Sequence, residues 1–152
     1  LFRSAMNEQP WAFCVVRDPV LLDRISREAK AQFLRAPPPG IAGQHLQGML
    51  ADEQFHILYH APVLVVIWAT QDSSWATIDC TLAAQNMMLR ACDLGLGTCW
   101  IGLAQGWLDS AEGRAALGVS QSWKPVAPII VGHPDDGAAA PERRAPQIRW
   151  ID

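Results

Sequence analysis

Three groupings in this chain have residue types and spacings from which catalytic or ligand chemistry can be built. His56-Ile-Leu-Tyr-His60 sets two imidazoles four positions apart, on one face if the segment is helical, which is the spacing of a metal-ligand pair. The glutamate of a zincin motif is missing and the sequence offers no evident third ligand. Histidines at the entry to a strand, without a metal, are the expected reading, and a metal hydrolase is the most distant functional class. Gly95-Leu-Gly97 opens like a dinucleotide fingerprint, but the next glycine is Gly102, the preceding element reads as a helix, and no Walker lysine follows. A helix stop and a tight turn account for it. Cys99 and His133 each follow a glycine-bearing turn and are conceivable as a nucleophile and base. Nothing in the sequence orients them, no G-x-S-x-G elbow offers a serine instead, and a packing thiol is expected at Cys99. No catalytic acid, base or nucleophile emerges.

A fourth grouping, Ser4-Ala-Met-Asn7-Glu-Gln9-Pro10-Trp11, gathers small and amide side chains directly before an apolar run. Asn and Gln both donate and accept, the combination needed to hold the edge of a heterocycle or a sugar hydroxyl. An ordinary polar turn with Asn as a cap explains the same residues.

These residues need elements to place them. Trp11 to Val16 reads as a short buried strand. Asp18-Pro19 supplies an N-cap and a first-turn proline for a helix whose apolar face carries Leu22, Ile25, Ala29 and Phe33, with Asp23 and Arg27 as an i,i+4 pair opposite. Ala36-Pro-Pro-Pro-Gly40 ends it. Residues 41–60 mix short helix and loop. Pro62 to Trp68 is a continuous β-branched run, as expected of a central strand covered on both faces. Ile78 to Leu94 is a helix with one narrow polar stripe (Asp79, Asn86, Arg90, Asp93), so it is expected to be nearly enclosed, and Gly95 suits a left-handed position after its end. Lys124 to Val131 is a further strand, at an edge or irregular because of Pro125 and Pro128. Asp135 to Arg144 reads as a loop, and the tail Gln147 to Asp152 is apolar enough to dock. One domain over residues 1–152, of α+β class, is expected.

Composition narrows the function. Of 152 residues half are apolar, and 15 acidic against 12 basic side chains give a formal charge of −3 with no basic cluster, which argues against nucleic acid as a partner. The longest apolar run, Ala61 to Ala69, is far short of the roughly 20 residues that span a bilayer. Cysteines at 14, 80, 92 and 99 lack both C-x-x-C spacing and the density of a secreted scaffold, so a cytoplasmic setting is expected. Seven tryptophans against one tyrosine suit a core, a dimer contact or the walls of a planar ligand's slot.

Taken together, Ser4 to Trp11, the strand Ala61 to Ile67, the helix-turn running from Ala83-Ala-Gln-Asn-Met-Met-Leu89 to Leu94-Gly-Leu-Gly-Thr-Cys-Trp-Ile-Gly102, and Pro128-Ile-Ile-Val-Gly-His-Pro134 resemble the nitroreductase family of flavin enzymes in order and spacing over nearly the whole chain. The resemblance implies a mixed sheet flanked by helices, an intertwined homodimer, FMN at the subunit interface, and NADH or NADPH as electron donor. It implies ping-pong transfer to nitroaromatic, quinone-like or other small electron-poor acceptors, with no further catalytic residue. By the same resemblance Ser4, Asn7 and Gln9 face the flavin from one side, and Cys99, Trp100, Ile101 and Gly102 form the turn facing the other. Arg144, helped by Arg143, meets the FMN phosphate. Family chains open with an Arg-Arg-Ser-x-Arg-like box that this chain lacks, so the chain is expected to enter its fold partway, its N-terminal helices missing. A non-catalytic flavin-binding or dimerisation module with a weakened phosphate site is the alternative that this departure raises.

Overall fold

The computed structural model of the chain describes residues 4–35, 41–135 and 142–151, with residues 41–45 described by backbone alone. The two strongest β-forming runs become strands β1 (Trp11–Val16) and β2 (Val63–Ala69), joined by helices α1 (Pro19–Arg35) and α2 (Ile41–Ala51). Helix α3 (Ser74–Asp93) leads into β3 (Gly97–Trp100), and two short helices, α4 (Gln105–Leu108) and α5 (Ala111–Ala116), precede β4 (Lys124–Gly132). The sheet order is β1-β2-β4-β3 and each described pair is antiparallel, with helices packed on the sheet, which is the α+β class.

Because side chains alternate across a pleated strand, β2 feeds two cores. Leu64, Val66 and Trp68 join Leu22, Ile25 and Ala29 of α1, with Leu50, Ile57, Trp107 and Leu108, on one face. Ile67 and Ala69 meet Ala76, Cys80 and Ala84 of α3 on the other. The small residues of α3 let its backbone come close to the sheet. Five expectations change at this level. Helix α3 starts earlier than its apolar pattern suggested, because the Ser73 hydroxyl accepts from the Ala76 N–H at 3.0 Å and caps it. It is also not enclosed: Trp75, Ile78, Leu82 and Leu89 lie exposed along its outer side. Strand β1 is buried on one face only, Phe13 and Val15 being exposed. β4 lies inside the sheet, between β2 and β3. Its prolines are tolerated because β3 pairs only with Ile129–Gly132, leaving the Pro125 and Pro128 stretch beside β2 alone, where a register shift falls at Ile67/Trp68. The tail does not dock on its own chain, since Ile148, Trp150 and Ile151 are exposed.

Gly95 takes φ +73°, the left-handed conformation that closes α3. The proline run after Arg35 and most of the 135–144 loop lie outside the described residues. Among the described residues no helix is long and apolar enough to cross a membrane.

Candidate functional site

The segment before β1 is held in an unusual backbone. Met6, Asn7 and Gln9 all have positive φ (51°, 58° and 51°), a conformation that side chains other than glycine adopt only when their surroundings hold it. Two buried groups do so. The Ser4 hydroxyl accepts from the Gln9 N–H at 3.0 Å, and both carboxylate oxygens of Asp79 lie 3.1 Å from the Ala5 N–H that donates to them. Asp79 is 3% exposed and sits 74 positions away in sequence, on α3 beside the Ala76–Cys80–Ala84 stripe. The sequence pattern puts it on the narrow polar stripe of this helix; its position next to the small-residue face was the available signal. Burial, with the Asp79 carboxylate adding to it, pushes the Cys80 thiol up to about 11, which leaves that cysteine an inert packing group. The side chains of Asn7 and Gln9 remain exposed, tied by Gln9 Nε2 donating to Asn7 Oδ1 at 3.2 Å.

The second segment leaves the sheet at the end of β3. Cys99 is exposed, with its Sγ turned to the Trp100 carbonyl, so the packing role expected of it is not what the fold gives. It shares a cavity of about 320 Å³ with His133, Tyr59 and His60, but no hydrogen bond links it to either histidine among the described residues. Trp100 is exposed at 37%, and Ile101 is buried with its N–H taken by the Pro128 carbonyl at 2.8 Å. The next N–H groups, of Gly102 and Leu103, open a 3-10 turn (Gly102–Ala104), where the first donors have no partner within the turn. A β-carbon on Gly102 would meet no atom beyond its chain neighbours within 4 Å. Arg143 and Arg144 are exposed in the irregular chain after residue 142.

One chain does not bring these parts face to face. Trp11 stands in the row Trp11–Ala69–Lys124, and Trp100 in the row Val15–Val65–Ile129–Trp100, at opposite edges of the sheet and three strand spacings apart. That is about 14 Å across. Phe13 and Val15 of β1 stay exposed on the sheet face that carries α3, and the outer side of α3 bears further exposed apolar residues.

The two histidines behave differently from the metal pair their spacing suggested. The expected Asp23–Arg27 pair does not form; Arg27 reaches Glu28, and Asp23 Oδ1 lies 3.2 Å from His56 Nε2. Asp23, His56 and His60 have ligand atoms within 4.8 Å of one another, so the fold supplies the third group that the sequence did not. The protons oppose a cation there. His56 Nδ1 accepts from the N–H groups of Leu58 at 3.2 Å and His60 at 3.4 Å, so its proton sits on Nε2 and points to Asp23. A ring ligating through Nε2 would need that proton on Nδ1, facing two donors. Beside it lies a cavity of about 670 Å³ between α1 and the chain from Leu50 to His60.

A family model described as the Nitroreductase family matches residues 4–133. The chain is similar to a nitroreductase with bound FMN from Bacteroides fragilis, at 29% identity, TM-score 0.83, covering 98% of this chain and 80% of that one. An FMN-dependent nitroreductase from Clostridium difficile matches at 22% identity and TM-score 0.79, covering 97% of this chain and 81% of that one. An iodotyrosine deiodinase bound to FMN and 3-iodo-L-tyrosine matches at 21% identity and TM-score 0.71, covering 98% and 80%. No protein of curated function matches the chain.

Proposed function

The chain belongs to the nitroreductase family, and on that premise we propose that it is an FMN-dependent oxidoreductase working as a homodimer. NADH or NADPH would be the donor and a small electron-poor aromatic or quinone the acceptor, each taking its turn in the same slot. The observation that carries this reading is the placement of two candidate flavin-facing segments at opposite edges of one sheet, beside an apolar face that the chain leaves uncovered. A second copy related by a two-fold axis sets the Ser4–Gln9 segment of one chain against the Cys99–Gly102 segment of the other.

The residues present fit such a cofactor. Asn7 and Gln9 offer exposed amide groups on a backbone fixed by Ser4 and Asp79, so their donors and acceptors are preorganised for the polar edge of a flat ring. Ser4 braces the loop by accepting from the Gln9 N–H, and among the described residues its hydroxyl proton has no acceptor. At the other wall the Ile101 N–H is engaged with Pro128, which leaves the Gly102 N–H as the main-chain donor available to an electron-rich ring. Trp100 and Cys99 flank it. Arg144, with Arg143 beside it, supplies the fork of donors that suits a phosphate. When bound, FMN supplies hydride acceptance and onward electron delivery; the chain's residues bind, orient and leave one face open for the donor and then the acceptor.

The test is a visible spectrum of the purified full chain with added FMN, followed by NADH or NADPH without oxygen. A bound flavin spectrum that bleaches with either donor and returns with a quinone is the expected result. A flavin that stays oxidised with both donors identifies a binding module instead, and no FMN binding at all removes the reading.

A further inference from the structure

Each backbone N–H from Ile57 to Ala61 has one partner, and together the partners isolate a single ring as the organiser of this turn. Ile57 N–H donates to the buried Ser26 hydroxyl at 3.0 Å, Tyr59 N–H to the His56 carbonyl at 2.8 Å, and Ala61 N–H to the Leu58 carbonyl at 2.9 Å. The remaining two, Leu58 and His60, both donate to His56 Nδ1. Tyr59 and His60 stand at φ 51° and 54°, so the turn uses two successive left-handed residues, neither of them glycine. Ile57 and Leu58 are buried in the core, and Lys30 Nζ donates to the Asp52 and Phe55 carbonyls at 2.7 Å, fastening the preceding residues to α1. The imidazole is 11% exposed, with Nε2–H directed to Asp23.

We propose that His56 is an acid-labile clasp, which closes the 56–60 turn against α1 only while its Nδ1 carries no proton. Proton uptake at Nδ1 turns the sole acceptor for two amide groups into a donor that faces them, and both bonds are lost at once. The turn then releases Tyr59 and His60, which wall the cavity containing Cys99, and opens the cavity between α1 and the Leu50–His60 chain. The surrounding charges agree. Burial, then His60 stacked at 4.3 Å, lower the pKa of His56 from its ordinary value, with Lys30 of α1 adding to this and the Asp23 carboxylate of the same helix opposing it. Arg27 of α1 and Glu53 also line the adjacent cavity, and the described side chains of α2 contribute no titratable group. A lowered folded pKa means that the open form binds the proton more readily. The closed turn is therefore fully favoured above about pH 6.5, the ordinary histidine value, and weakens as pH falls from there through the lowered pKa.

The test compares the full chain with His56→Asn, whose side-chain oxygen takes the place of Nδ1, accepts from the residue 58 amide as an Asx-turn does, and does not titrate. Amide hydrogen exchange, corrected for intrinsic rate, is followed at Leu58 and His60 between pH 7.5 and 5. In the parent chain the opening population should rise by up to about tenfold per pH unit inside the window, and in His56→Asn it should stay level. Equal rises in both, or no rise in the parent, overturn the proposal. Should the variant not fold, nitrogen shifts of the parent's His56 ring decide. A neutral Nε2–H tautomer at pH 7.5 that gains its second proton together with loss of Leu58 protection supports the clasp. An Nδ1–H ring at pH 7.5, or protonation without that loss, refutes it.

Discussion

Asp79 is the residue on which the Ser4–Gln9 loop depends most, because a buried carboxylate fixes the N–H at the start of three positive-φ residues. Replacing it with alanine removes the acceptor and leaves a part-buried donor without it, so Asp79→Ala should lower unfolding free energy by about 1–3 kcal/mol. It should also weaken FMN binding, since the loop loses its support, while Asp79→Asn, which keeps one acceptor oxygen, retains most of both. Denaturant melts and FMN titration of the two variants check this, and an alanine variant with unchanged FMN affinity would dissociate Asp79 from the site. The arginines offer a second comparison. A phosphate contact worth about 1.5–3 kcal/mol corresponds to roughly ten- to hundredfold in dissociation constant, and Arg144→Ala should show that loss in an FMN titration while Arg143→Ala shows less. Equal dissociation constants for the two variants would remove the assignment of Arg144.

Elements succeed or fail through what covers them, and single substitutions show where two elements touch. A β-carbon on Gly113, in α5, would land on the carbonyl oxygen of Trp107 and within 2.9 Å of the Leu108 α-carbon, both in α4. Gly113→Ala must push α5 away from α4, and a loss of about 1–3 kcal/mol by thermal or chemical melting is expected, against little change for Gly118→Asn at its positive φ of 63°. The same dependence on neighbours explains what the sequence conveyed. β1, β2, α1 and the Gly95 stop were legible because local composition and caps decide them. The exposed flank of α3 and the exposed tail were not, since an apolar pattern says that a surface is to be covered and not by which chain. Among the candidate site residues, Asn7 and Gln9 stood out through their amide side chains before an apolar run, and Gly102 only through the family resemblance. The Ala5–Asp79 and Asp23–His56 contacts join positions 74 and 33 apart, and no local pattern announces them.

At the scale of the whole molecule the proposed homodimer needs an interface, and the exposed apolar side of α3 is the candidate for it. Trp75, Ile78, Leu82 and Leu89 recur along one side of α3 at helical spacing, and they and Phe13 and Val15 of β1 are each between 46% and 63% exposed in the single chain. Contiguous apolar surface of this kind marks an interaction site in a soluble protein. In an isologous dimer a residue near the two-fold axis meets its own copy. Leu82, midway along the stripe, is the natural place to introduce a charge: Leu82→Lys would set two ammonium groups close together in a desolvated contact, while in the single chain the side chain stays solvated and the fold should change by less than about 0.5 kcal/mol. Sedimentation should then report a monomer with parental secondary structure, and FMN should be lost along with the partner, because the Ser4–Gln9 and Cys99–Gly102 segments of one chain lie at opposite sheet edges. A Leu82→Lys monomer that still retains FMN with parental affinity would locate the complete flavin site within one chain and overturn the shared-site geometry. A variant that remains a dimer would move the interface off α3.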